Sequence, residues 1–121
     1  MKAKRPGEII HMTFITTTTI RDGKVNILIS VDNYSEYCFG VAVQRDMSFQ
    51  EVSGHIEGIL KNVKEKHPTV SPLFIMAYGK EMVQELEKKF MGKASFLFNP
   101  VLADETAMPA AKLLMEQLFK K

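Results

Sequence analysis

Residues 21–24 (RDGK) stand between two β-rich runs, 8–19 (EIIHMTFITTTT) and 25–32 (VNILISVD). Asp-Gly between such runs is a strong hairpin signal, because a tight turn needs residues that tolerate positive φ. Val25, Ile27, Ile29 and Val31 alternate with Asn26, Leu28, Ser30 and Asp32, which is the period of a strand. With Asp22-Gly23 as a two-residue turn, Arg21 faces Lys24, Phe14 faces Val31 and Thr13 faces Asp32. Cross-strand partners share a face. This register puts Met12, Phe14, Ile20, Val25, Ile27, Ile29 and Val31 together as core, and it points Asp32 away from them.

Outward from the hairpin, Asn33 and Ser35 form a turn, and residues 37–44 (YCFGVAVQ) suit a third strand. The period then changes. Ser48 followed by Glu51 matches a capping box, and Phe49, Val52, Ile56, Leu60 and Val63 trace one helix face to about residue 66. Pro68 closes that helix. Residues 73–76 (LFIM) read as a short buried strand, 80–91 as a helix and 94–98 (ASFLF) as a fifth strand. A last helix is predicted from Asp104, with acids in its first turn and Lys120 and Lys121 at its end, a polarity that suits the helix dipole. The order βββαβαβα predicts an α/β fold: a five-stranded mixed sheet with helices on both faces. Residues 1–7 read as a flexible lead-in and 8–121 as one domain.

A chain of 121 residues can bury a core without disulfides or metals. The net charge of +2 compels no nucleic-acid partner. The single cysteine, Cys38, sits in an apolar run and reads as a small hydrophobe rather than a reactive thiol. No apolar run is long enough to span a membrane, and residues 1–7 lack the apolar stretch of a signal peptide, so the cytoplasm is the expected compartment.

Three stretches carry a resemblance. Residues 5–12 (RPGEIIHM) resemble the basic-Pro segment that precedes W/H-x-D on a first strand. Residues 29–40 (ISVDNYSEYCFG) are similar to V-x-D-x-(F/Y)-S-R-(Y/x)-x-x-G, and 73–80 (LFIMAYGK) to a strand ending in S-D-x-G. Together they resemble the catalytic core of integrases and DDE transposases, from Arg5 through nearly the whole chain. The resemblance implies a ribonuclease H-like fold. It also implies three carboxylates holding two divalent metals: one Asp on the first strand, one Asp after the fourth strand and one Glu on the late helix. Such metals activate the attacking oxygen and stabilise the leaving one in phosphodiester chemistry.

This chain departs from that pattern. Spacing back from Asp32 and Gly23 places the first acid at Phe14, and spacing back from Gly79 places the second at Ala77. Leu113 lies near the usual spacing of the late Glu, with Glu116 the nearest carboxylate along that helix. Phe14, Ala77 and Glu116, with His11 and Asp32 nearby, are thus expected to mark a vestigial site. Neither a phenyl ring nor a methyl group can ligate a metal, so no cofactor and no catalysis are expected. The expected function is that of an inactive integrase-core-like pseudoenzyme, a binding or assembly module from a mobile element, with DNA or a protein as partner and a homodimer by analogy. The alternatives are a nucleic-acid-binding module without catalysis, and a metal-dependent nuclease or phosphoryl transferase using relocated acids such as Asp32, Asp104, Glu105 or Glu116.

Other residues read more plainly. Thr16, Thr17, Thr18 and Thr19 suit a strand. His11, His55 and His67 lack metal-ligand spacing. Lys61, Lys64 and Lys66 end one helix, and Lys88, Lys89 and Lys93 cluster near another. They suit helix dipoles, and Lys61, Lys64, Lys88 and Lys89 are the candidates for phosphate contact.

Overall fold

The computed structural model describes residues 2–19, 21, 23–36, 38–44 and 48–119. Its strands are β1 (Ile9–Thr19), β2 (Gly23–Asp32), β3 (Cys38–Gln44), β4 (Leu73–Met76) and β5 (Ser95–Phe98). Its helices are α1 (Phe49–Lys66), α2 (Val83–Lys89), entered through a 3-10 turn at Lys80–Met82, and α3 (Pro100–Phe119). The strands form one sheet in the order β3-β2-β1-β4-β5. β1 pairs with β2 and β2 with β3 antiparallel; β1 pairs with β4 and β4 with β5 parallel. The sheet is therefore mixed, as the βββαβαβα order predicts.

Each face of the sheet carries its own helical layer. Ile10 and Met12 of β1, Leu28 of β2, Phe74 and Met76 of β4 and Phe96 of β5 pack with Val52, Ile56 and Val63 of α1 and Leu86 of α2. On the opposite face, Ile27, Ile29 and Val31 pack against Ala107 and Ala111 of α3, and Ile9 and Ile75 against Ala103. Ala103, Ala107 and Ala111 are fully buried at a spacing of four. Small side chains on that stripe let α3 lie close across the strands. Among the described residues no helix is long and apolar enough to cross a membrane.

The hairpin register differs from the predicted one. The closing pair of the ladder is Thr19 with Gly23, so three residues separate the partners, and Phe14 pairs with Leu28, Ile10 with Asp32 and His11 with Val31. Gly23 has φ +69 and opens β2 in the left-handed region, as in a three-residue loop, instead of sitting at the centre of a two-residue turn. A two-residue turn pairs even with odd numbers; this one pairs even with even. The change of parity exchanges the faces of one strand against the other. Met12 and Phe14 therefore share Leu28's face, while Ile27, Ile29 and Val31 share the face of His11, Thr13 and Ile15. Asp32 lies on the same face as Phe14, contrary to expectation. Ile20 and Asp22, part of that expectation, lie outside the described residues, as do Tyr37, Lys120 and Lys121.

Two further boundaries moved, and the lead-in makes contacts of its own. α3 begins at Pro100 rather than at Asp104, with the Asn99 side chain accepting from the Leu102 amide at 3.1 Å. Asparagine as cap followed by proline in the first turn is a strong start signal, and it takes Asp104 and Glu105 out of the first turn. The helix predicted over 80–91 is a 3-10 turn followed by a shorter α2. The lead-in is tied down: Ala3 is buried and its amide donates to Asn33 Oδ1 at 2.7 Å, and the Gly7 amide donates to Asp32 Oδ1 at 3.1 Å. Ser48 caps α1 as predicted, its hydroxyl accepting from the Glu51 amide.

Replacing Ala107 by leucine would force a branched side chain between α3 and β2. Urea denaturation is expected to show a loss of about 1–3 kcal/mol, the usual cost of overpacking a closed interface; the same change at exposed Lys112 should cost less than about 0.5 kcal/mol.

Candidate functional site

β1, the end of β4 and the first half of α3 meet on the α3 side of the sheet. The Ala77 amide donates to the Met12 carbonyl at 3.0 Å, extending the parallel ladder past Met76. The Asn99 amide donates to the Met76 carbonyl at 2.9 Å, and the Ala103 amide to the Asn99 carbonyl at 3.0 Å, which sets the start of α3 beside the end of β4. The next residue of β1, Thr13, is 2% exposed and on α3's face, and its hydroxyl donates to Asp104 Oδ1 at 2.9 Å.

His11 lies one pleat back on the same face. Its Nδ1 is 2.8 Å from the Leu102 carbonyl, which can only accept, so Nδ1–H donates. Its Nε2 is 2.8 Å from Asn33 Nδ2 and accepts from that amide, whose oxygen accepts from the Ala3 amide. The imidazole is thereby held neutral in one tautomer. Burial lowers its pKa below 6.5, outweighing the Leu102 carbonyl and Glu105, which favour the charged form.

Asp32 is fully buried. Its Oδ1 accepts from the amides of Gly7 and Tyr34, and its Oδ2 from the Ser35 amide and, at 2.6 Å, the Ser35 hydroxyl. Four donors occupy this carboxylate, which pins the turn after β2 to the lead-in. Phe14, on the α1 side, meets Tyr78 edge-on at 5.3 Å between ring centroids and an interplanar angle of 90°. Burial pushes the Tyr78 phenol up, and its hydroxyl has no hydrogen-bond partner among the described residues. Glu116 is exposed and lines a shallow groove with Phe14, Ile15, Met108, Ala111 and Lys112. Leu113 is 61% exposed.

The expected vestigial set is therefore divided. His11 and Ala77 are on the side where α3 meets β1 and β4, Asp32 is engaged in a turn, and Phe14 packs with the α1-side core. The residue of β1 that faces α3 at the end of β4 is Thr13, with Asp104 as its partner. Thr13 was not expected at a site, and Asp104 was expected only as a possible relocated acid. Strand alternation could have found Thr13, because residues 11 and 13 must share a face whatever the register. Asp104 could have followed from Asn99-Pro100, which fixes the phase of α3.

Among the described residues no three His, Cys, Asp or Glu side chains are grouped to hold a metal. The donors at the junction do not fit a two-metal centre. Hard divalent ions need several oxygen ligands, and here one carboxylate, Asp104, is hydrogen-bonded to one hydroxyl, Thr13, on the strand next to Ala77.

On the other side of the sheet, His55 is 9% exposed, with Nε2 2.8 Å from the Ser30 hydroxyl, and burial lowers its pKa to about 4. His67 closes α1, its amide donating to the Val63 carbonyl. Of the candidate lysines, Lys61 and Lys64 line one groove together with Lys93. Lys89 is held at 2.8 Å by Glu57 and at 3.2 Å by Ser53 Oγ, and lies over the Phe49 and Phe90 rings. Lys88 is exposed and does not line that groove.

No protein-family model matches the chain, and no curated protein matches it in sequence. Among solved structures, it is similar to a chain of the simian T-cell lymphotropic virus intasome, determined by cryo-electron microscopy in complex with the PP2A regulatory subunit B56 gamma. The TM-score is 0.61 over 98% of this chain at 15% identity, which is a likeness of fold. The chain spans 43% of the length of that protein.

Both buried histidines are neutral when folded and bind a proton below 6.5 when unfolded. Below that pH the unfolded state holds more protons, so stability is full above it and is lost as the pH falls toward the folded values. For His55 the loss between pH 6.5 and about 4 amounts to about 3 kcal/mol. Melting curves across that range should show the decline, and a His55→Gln variant should show a shallower one.

Proposed function

We propose that this chain is a ribonuclease H-like, integrase-core-like domain without phosphoryl-transfer chemistry, serving as a binding or assembly module. The strand order, the helices on both faces and the fold likeness to an intasome chain support the family reading. The observation that carries the loss of chemistry is the Thr13–Asp104 hydrogen bond beside Ala77. In the resembled family, the first strand, the end of the fourth strand and the late helix each contribute a carboxylate at this junction. On that reading the first-strand position corresponds to Thr13, not Phe14, because Thr13 lies on α3's face of the sheet and bonds Asp104, whereas Phe14 lies on the other face. The second corresponds to Ala77. On α3 the inward stripe is alanine, and Asp104 is the acid nearest the strands.

A domain of this shape without metal ligands keeps what the shape alone can do, which is to hold a partner. The similar intasome was itself captured with a protein bound. Association of two copies is the family's common mode and belongs to the same proposal. Nucleic-acid binding without catalysis draws support from the gathering of Lys61, Lys64 and Lys93 in one groove. An enzyme with relocated acids draws less. Asp32 is occupied by four donors, Glu116 is out in a shallow groove, and among the described residues Asp104 and Glu105 are not part of any group of three His, Cys, Asp or Glu able to hold a metal.

Thermal melts in millimolar manganese or magnesium test the reading. The native chain should not shift. A Thr13→Asp/Ala77→Asp double variant, which restores two carboxylates beside Asp104, should melt lower without metal and recover with manganese, by about 2.7 kcal/mol at a hundredfold excess over Kd. Metal-dependent DNA cleavage by the native chain, abolished by Asp104→Asn, would sink the proposal.

A further inference from the structure

A concavity lies on the α1 side, away from the junction of β1, β4 and α3. It is a groove of about 520 Å³ between the last turns of α1, the connection at residues 68–72 and the turn after α2. That volume is in the range that seats a small ligand or a few side chains of a peptide. Its apolar lining is Leu60 and Val63 of α1, Val70 of the connection and Phe90. Its cations are Lys61 and Lys64, three residues apart on α1, and Lys93 across the groove. One acid, Glu57, lines it too, and that carboxylate is 2.8 Å from Lys89. Among the described residues no ion pair holds Lys61, Lys64 or Lys93.

The walls are fixed before any ligand arrives. Ser71 Oγ donates to the Lys93 carbonyl at 3.0 Å, and the Ser95 amide donates to the Pro72 carbonyl at 2.9 Å, joining the two sides. Pro68 and Pro72 restrict the backbone of the connection. Gly92, with φ +81, makes the turn on the far side. A site already ordered loses little entropy on binding.

We infer that this groove binds a short acidic segment of a partner protein that carries aliphatic or aromatic anchors. The lysines match the acids, and the aliphatic lining matches the anchors. Nucleic acid matches only half of these features. Its phosphates would meet the lysines, but they gain nothing from the half-buried Leu60 and Val70. Single strands bind by stacking bases on exposed rings, and Phe90 is 4% exposed. The inference stands apart from the integrase-core reading, since it uses the opposite face of the sheet and needs no lost metal site.

Fluorescence anisotropy with the full chain tests it. The probes are a labelled peptide of about a dozen residues alternating Glu or Asp with Leu and Phe, a peptide of equal charge with Ser and Gly in place of Leu and Phe, and labelled single- and double-stranded DNA. The first peptide should bind at least about tenfold more tightly than the second, a difference of about 1.4 kcal/mol. Lys61→Glu/Lys64→Glu should weaken it by a further factor of about ten, while Lys112→Glu on α3 leaves it unchanged. Circular dichroism of each variant confirms that it is folded. Equal binding of the two peptides, tighter binding of DNA than of the first peptide, indifference to the paired lysine change, or no binding at millimolar protein would each overturn the inference. None of these outcomes bears on the manganese melts, so the two proposals fail separately.

Discussion

β1 is hydrogen-bonded along both edges, antiparallel to β2 and parallel to β4, so its residues must serve two helical layers in strict alternation. Ile10 and Met12 belong to the layer of α1 and α2, while Ile9, His11 and Thr13 belong to that of α3. The rest of the molecule is arranged around that alternation. β2 inherits its facing from β1 through the hairpin, β4 inherits its own through the parallel ladder, and α3 is then left with alanines against whatever β1 and β2 present on its side. A single residue more or less in the hairpin would turn the α3-facing Ile27, Ile29 and Val31 toward α1 and put Asn26, Leu28 and Ser30 under α3.

Much of this was legible in the chain. Element types follow from period and from caps such as Ser48, and β4 was placed residue for residue at Leu73–Met76. What was not legible was phase. Asp-Gly announces a turn, but two- and three-residue loops both accept it with a left-handed glycine, and only the pairing of Thr19 with Gly23 separates them. The same kind of error moved α3, because the acids at 104 and 105 suited a helix start and drew attention from Asn99-Pro100. Phase matters more for a site than for a fold. A helix four residues too short still packs, but a strand read on the wrong face puts a phenylalanine where a threonine stands.

The candidate site shows the same division. Ala77 and His11 are near the junction because short motifs fix them locally, through the strand that ends at Met76 and the pleat of β1. Phe14 and Asp32 are elsewhere because their placement rested on counting across the turn. Asp104 entered only as a possible relocated acid and a helix start, because its contact with Thr13 is 91 residues distant in sequence and no local pattern announces such a contact. The alanine stripe of α3 was likewise invisible as a functional signal. Alanine is what close packing of a helix on a sheet prefers, whether or not an acid once stood there.

The imidazole of His11 joins three remote parts of the chain: Ala3 through Asn33 on one side, and the first turn of α3 through Leu102 on the other. Each member of that relay has a single orientation compatible with its neighbours. Acid, a trimmed front end and a loosened α3 are for this reason a single perturbation met at three places. Anything that reverses the Asn33 amide turns a donor away from the imidazole and lets a second proton settle there. The backbone at residue 3 is then coupled to the ionic state of a ring beside the first turn of the last helix.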